Sequence, residues 1–152
     1  MKIILATDGT KYGDAAAEML GNFNLNKGDE IKILSVVDMA MPLGIDIYGG
    51  YLPDTSELEK AGKENAARVV ETTSKNLRDH FGENVAVSSD VLFGSPDSRI
   101  VETAEEMNAD LIIIGSHGYK RWERLLLGSV SDSVVHHAPC SVLVVRSHAA
   151  KD

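Results

Sequence analysis

The sequence predicts an α/β sandwich, a doubly wound five-stranded parallel sheet in the order 3-2-1-4-5 with helices on both faces. Three observations predict it. Five short apolar runs alternate with stretches in which apolar residues recur every three or four positions, the pattern of β–α–β units with right-handed crossovers. The first and fourth runs, Lys2–Thr7 and Asp110–Ile114, are almost continuously apolar, as strands covered on both faces are. The third instead sets Val85, Val87, Ser89 and Val91 between polar residues, so it is expected half exposed at a sheet edge.

Taken in order, Lys2–Thr7 (KIILAT) is a β-branched run closed by Asp8-Gly9, a buried strand ending in a turn. Thr10 stands at the N-cap of a helix over Lys11–Asn22 that directs Ala15, Ala16, Met19, Leu20 and Phe23 inward. Gly28-Asp29 turns the chain into a second strand, Ile31–Val37. Asp38–Pro53 follows, with Pro42, Gly44, Gly49 and Gly50 and no period; connections this long in compact domains are functional segments or tolerated insertions. From Leu58, the residues Gly62, Ala66, Val69, Val70, Thr73, Leu77 and Phe81 mark one face of a long helix, capped within Asp54–Ser56 and ended by Gly82. Ser95-Pro96-Asp97 supplies an N-cap, a proline at the first helical position and a first-turn acid, opening a helix that faces inward through Ile100, Val101, Ala104 and Met107. After the fourth strand comes the glycine-rich loop Gly115-Ser116-His117-Gly118. Gly128-Ser129 opens the last helix, with Val130, Val134, Val135 and Ala138 inward; Pro139 stops it and Ser141–Val145 (SVLVV) is the fifth strand.

The chain has 152 residues, 43% hydrophobic and 25% charged, with 15 basic and 23 acidic groups for a formal net charge of −8. A single domain of this size buries roughly 68–70% of the surface its unfolded form exposes, so it requires no covalent or metal staple. Cys140 is the one cysteine, which excludes an intramolecular disulfide and any multi-cysteine metal site. Apolar runs such as Leu111–Ile114 are far short of the roughly 18 residues of a membrane span. MKIILATDG carries no cleavable-signal pattern, so a cytoplasmic protein without a membrane partner is expected. The acidic surplus argues against nucleic acid, whose phosphates are held by lysine and arginine.

In an open doubly wound sheet, ligands bind beyond the carboxyl ends of the strands, where the strand order reverses. Here the reversal falls between strands one and four and brings Asp8 beside the Gly115 loop. The glycines let backbone approach a ligand closely, and Gly128-Ser129 opens a helix whose N–H groups can hold an anion. Asp8 suits sugar hydroxyls; Ser129 suits phosphate. The segment Gly115–Ser129 sets Lys120, Arg121 and Arg124 against Glu123, a local cationic excess within an acidic chain.

TDGT closes the first strand at Thr7–Thr10, GSHG stands at Gly115–Gly118, and nine residues separate Gly118 from Gly128-Ser129. On these residues the chain resembles the universal stress protein family over essentially its whole length, as one domain at residues 1–146 with a tail at 147–152. Gly115, Gly118, Gly128 and Ser129 fit the G-x2-G-x9-G-[S/T] spacing of the family's nucleotide-binding members. The resemblance implies an ATP-binding stress-response regulatory protein whose nucleotide controls loop conformation or the binding of a protein partner. The ligand would be ATP, or AMP or ADP, with Mg or Mn. Asp8 would take the ribose, and Ala6, Thr7 and the Val36 backbone would line the adenine. Gly115, His117 and Gly118 would wrap ribose and phosphates, with Gly128, Ser129, Val130 and Ser131 on the phosphate tail. The apolar terminal strand is an edge that proteins usually cover. The resemblance implies a homodimer that pairs these strands, with Val142 and Val144 near the axis; the tail Arg146–Asp152 folded back over the edge is the alternative.

Enzyme signatures are missing where they would be expected. There is no GxxxxGK[ST] loop and no GxGxxG after the first strand, and GSHG is not a GxSxG elbow. His117 is therefore given a positional role, and hydrolysis, if any, is expected to be slow. A nucleotide-free interaction scaffold and a slow ATPase are the competing functions. His136-His137 suits the negative end of the last helix better than a metal, and Cys140 reads as a small buried hydrophobe. Trp122 reads equally as a partner anchor or an exposed reporter.

Overall fold

A computed structural model describes residues 1–39, 55–117 and 127–147. Strands and helices alternate: β1 (Lys2–Ala6), α1 (Lys11–Gly21), β2 (Glu30–Asp38), α2 (Thr55–Phe81), β3 (Ala86–Gly94), α3 (Pro96–Met107), β4 (Leu111–Gly115), α4 (Ser129–His137) and β5 (Ser141–Val145). Every pairing is parallel, and the strand order is β3-β2-β1-β4-β5. The expected architecture is the observed one, with the half-exposed β3 at an edge. No helix among the described residues is long and apolar enough to cross a membrane.

The period of two along each strand divides the core between the two faces of the sheet. Ile3, Leu5, Ile31, Ile33 and Ile113 point to one side, where they meet Ala16 and Leu20 of α1 and Val70 and Leu77 of α2. Ile4, Ala6, Leu34, Ile112 and Ile114 point to the other, against Ile100 and Ala104 of α3 and Val134 of α4. The largest of these side chains are fully buried, each contributing about 1.5–3 kcal/mol. In β5, Val142 and Val144 lie half-buried on the α3–α4 side, and among the described residues the strand pairs with β4 alone.

The helix ends depart from the sequence reading in detail. Thr10 does occupy the N-cap of α1, but it caps no helical N–H. Its hydroxyl donates to Asp8 Oδ1 at 2.6 Å, and its own N–H reaches the same oxygen at 3.0 Å. Asn22, expected to end α1, is its C-cap. Ser95 likewise caps no helical N–H and turns its hydroxyl onto Asp97. Asn108 ends α3 in the left-handed conformation, at φ 51°. Met19 and Val135 were expected inward but are 41% and 44% exposed. Each stands one residue, about 100° of helical turn, from a fully buried neighbour, Leu20 or Val134, and a flat sheet covers only a narrow stripe of a short helix. The Asp38–Pro53 connection falls almost wholly outside the described residues, as do Trp122 and most of the tail.

On the second face, α3 and α4 are joined by a hydrogen bond from the Ser133 hydroxyl to Asp97 Oδ2, at 2.6 Å. That bond, followed by the one from Ser95, holds the Asp97 carboxyl below the usual carboxylate range. An acid depressed in this way contributes stability that is complete above its unfolded pKa of about 3.9 and is lost as pH falls through its lower native value. Asp97→Asn should therefore destabilise the protein at neutral pH, by progressively less as pH falls below about 3.9, as read from urea unfolding across that range. A second prediction comes from Ser74, which is 2% exposed on α2 with its hydroxyl unbonded. Ser74→Ala removes an unpaired polar atom and improves helix propensity, so unfolding free energy should rise by about 0.5–1 kcal/mol at unchanged m-value.

Candidate functional site

The reversal of strand order opens a cleft between the carboxyl ends of β1 and β4. Crossovers leave β1 and β4 toward opposite faces of the sheet, which parts the described chain at their ends. The cleft holds about 430 Å³, within the range of small-molecule sites. Ala6, Thr7 and Asp8 form its floor; β2 adds Leu34 to Asp38; α2 adds Gly62, Asn65 and Ala66. Pro96 and Ile100 of α3 stand on one side, and Ile114, Gly115 and His117 close the β4 end. Gly128, Ser129, Val130 and Ser131 bring the N-terminus of α4 to the rim.

Close backbone approach shapes the floor. A Cβ on Gly115 would lie 2.7 Å from the Tyr12 carbonyl, and one on Gly13 would lie 2.4 Å from Thr7 Oγ1. The first turn of α1 is thus pressed onto the last residues of β1 and β4, and only hydrogen fits at either glycine. Thr7 is fixed from the other side by its N–H, which bonds the Leu34 carbonyl at 2.9 Å. The Tyr12 ring rests against the His117 ring, with centroids 5.2 Å apart, and Lys11 Nζ stands 5.2 Å from the Tyr12 centroid.

The Ser116 carbonyl ties β4 to α4. It accepts the Gly128 N–H at 2.7 Å and the Ser131 hydroxyl at 2.9 Å, while the Ser116 N–H reaches the Val145 carbonyl of β5 at 2.8 Å. Ser116 and Ser131 are both 2% exposed, so these bonds form in a dry environment where they are strong. His117 Nδ1 sits 3.0 Å from the Ser116 hydroxyl.

The electrostatics give the cleft a polarity. Gly128, the N-cap of α4, has no side chain to cover the first-turn N–H groups, and among the described residues no side chain caps them. The one acid of that turn, Asp132, is exposed to solvent. Near the N-terminus of α1 a carboxylate is already present, because Asp8 is folded into the turn that precedes it. An anion therefore gains most at α4, where the helix dipole is uncompensated within the cleft. A group rich in hydroxyls is better matched to Asp8. Asp14, one turn into α1, is pushed above the usual carboxylate range by burial first and then by Glu18 and Asp8.

Of the residues singled out from sequence, Ala6, Thr7, Asp8, Val36, Gly115, His117, Gly128, Ser129, Val130 and Ser131 all border this cleft. Gly118 lies outside the described residues, together with Lys120, Arg121, Glu123 and Arg124. Val142 and Val144 are away from the cleft, on β5. Sequence reasoning missed Ser35, Asp38, Asn65, Pro96 and Ile100. Asn65 carried a signal, a polar side chain between Gly62 and Ala66 on the inward stripe of α2. His136 and His137 place their Nδ1 atoms 2.8 Å from the carbonyls one turn earlier, as expected at a helix C-terminus. Among the described residues no cluster of three His, Cys, Asp or Glu could hold a metal. Cys140 is half-buried, and burial pushes its thiol up.

The profile of the universal stress protein family matches residues 1–146. The chain belongs to this family. A universal stress protein of Methanocaldococcus jannaschii is 34% identical over 145 residues, covering 95% of this chain and 81% of that one. Among universal stress protein folds, the solved structure of the protein MJ0577 superposes with a TM-score of 0.81 at 29% identity, covering 98% and 97% of the two chains. A family protein from Arabidopsis thaliana, solved with AMP bound, has a TM-score of 0.67 at 16% identity over 98% and 93% of the chains; that likeness concerns the fold. Family membership accounts for the order of elements from the first strand to the last.

Gly115→Ala tests the packing at the floor of the cleft. The added methyl group meets main chain, which cannot swing aside, so the substitution should cost about 1–3 kcal/mol in urea unfolding.

Proposed function

We propose that the cleft binds an adenine nucleotide, ATP or its AMP and ADP relatives, and that the protein acts as a nucleotide-responsive regulator in stress rather than as an enzyme. One observation carries the reading: a carboxylate on one side of the cleft and an uncapped helix N-terminus on the other. A nucleotide has the matching order of groups, with ribose hydroxyls between base and phosphates. In this orientation the phosphates lie on the N–H groups of Ser129, Val130 and Ser131. The ribose faces Asp8 and His117 beside Gly115. The base lies between Ala6, Thr7 and the Val36 backbone, with Pro96 and Ile100 as an apolar wall. AMP in the Arabidopsis relative is in keeping with this choice of ligand.

A divalent ion such as Mg or Mn would arrive on the phosphates and keep most of its waters, since the described residues offer no three-ligand cluster to hold it. Its chemistry there is charge neutralisation between phosphate oxygens. His117 holds its position through Ser116 and Tyr12, and that role calls for no proton transfer. Turnover, if present, is expected to be far below the roughly 1 s⁻¹ at the low end of typical enzymes. Nucleotide occupancy would act through the segment after His117, and thereby on a protein partner. The exposed edge of β5 is proposed to pair with its counterpart in a second copy, placing Val142 and Val144 near the dimer axis.

Small molecules released by denaturing the purified protein should include an adenine nucleotide by mass spectrometry. Titration calorimetry with ATP should show binding that Asp8→Ala weakens by about 10- to 100-fold, the loss of a hydrogen bond to a charged group. Absence of binding by ATP, ADP and AMP alike overturns the reading in favour of an interaction scaffold.

A further inference from the structure

α4 is gripped on two sides, and only one grip touches the cleft. On the β4 side, Gly128 N–H and Ser131 Oγ hold the Ser116 carbonyl. Two residues further on, about 200° around the helix, Ser133 Oγ donates to Asp97 Oδ2 at 2.6 Å. Neither Ser133 nor Asp97 borders the cleft, yet each is covalently close to residues that do: Ser131 on α4, and Pro96 and Ile100 on α3. The other oxygen of Asp97 accepts the Ser95 hydroxyl. Ser133 is backed by His137, whose Nδ1 lies 2.8 Å from the Ser133 carbonyl and 3.4 Å from its hydroxyl.

The seam between the two helices is not closed by apolar packing at this level. A second hollow of about 310 Å³ runs along it, lined by Asp97, Ser98, Val101, Glu102, Ser133 and His137. Beside this hollow the short hydrogen bond joins α3 to α4 near the first turns of α4, outside the apolar contact of Ile100 and Ala104 with Val134.

We propose that Ser133 and Asp97 are positioning residues for the nucleotide, a staple that sets the distance between the Pro96–Ile100 wall and the N–H groups of Ser129 to Ser131. This rests on the nucleotide reading of the cleft. Without the staple, α4 keeps its anchor at Ser116 and the packing of Val134, but its first turn shifts relative to α3 and the N–H groups no longer converge where the phosphates lie. The staple acts on binding although neither residue reaches the ligand.

Titration calorimetry with ATP on the full-length wild type, Ser133→Ala, Ser133→Thr, Asp97→Asn and the Asp97→Asn/Ser133→Ala double variant tests this. Ser133→Ala should weaken ATP binding by about 3- to 30-fold, and Ser133→Thr, which keeps the hydroxyl, should restore it. The double variant should lose no more than the weaker single one, because the two groups act as one contact. Backbone amide resonances of Ser129, Val130 and Ser131 should shift in Ser133→Ala and return in Ser133→Thr, a signature that general destabilisation does not produce. Should Ser133→Ala not fold, Asp97→Asn carries the same comparison, with weaker ATP binding expected. ATP binding unchanged in these variants, or losses that simply add in the double variant, overturns the staple and leaves the nucleotide reading intact. Absence of ATP binding to the wild type overturns both.

Discussion

The structure depends on one topological constraint. In a parallel sheet ordered β3-β2-β1-β4-β5, the crossovers from β1 and β4 must leave toward opposite faces, so the crest between them stays open. Everything at the site follows from that opening. The last residues of β1 place Asp8 on one side, the last residue of β4 places Gly115 on the other, and α4 returns with its N-terminus aimed at the gap. The apolar sheet below supplies rigidity, and the irregular chain above supplies chemistry.

The two faces of the sheet contribute differently. On the α1–α2 side the constraint is steric: two glycines let α1 sit directly on the strand ends, which fixes the floor. On the α3–α4 side it is polar: a shared carbonyl at Ser116 and a carboxylate at Asp97 hold α4. Close packing resists small displacements, whereas hydrogen bonds between helices can break and re-form. The α4 end of the cleft is therefore the end with exchangeable polar contacts, and the α1 end the sterically fixed one.

The fold was legible because its strands differ in kind. Continuous apolar runs at β1 and β4 and alternation at β3 were compatible with the order 3-2-1-4-5, which was assumed from the sequence and is the observed one. The site was legible at glycines and at the Asp8 turn, where the backbone leaves a mark in residue type. It was less legible where the residue type is ordinary. Pro96 and Ile100 look like a helix start and a core position, and only the sheet order shows that they overhang the cleft. Thr10 and Ser95 illustrate another limit. Both sit where a capping residue belongs, yet their hydroxyls turn to a neighbouring aspartate, a choice between near-equal hydrogen bonds that composition does not encode. Met19 and Val135 show that helical periodicity gives the inward direction but not the width of the buried stripe.

The carbonyl of Ser116 also has a meaning for how such a chain diversifies. By accepting the Gly128 N–H it brings together the two ends of the stretch between residues 117 and 127. With its ends held together, doubling the length of that connection costs only about 0.6 kcal/mol in closure entropy. A change in the length of this connection thus leaves the sheet and the N-terminus of α4 in place, because the bond at its base carries the closure.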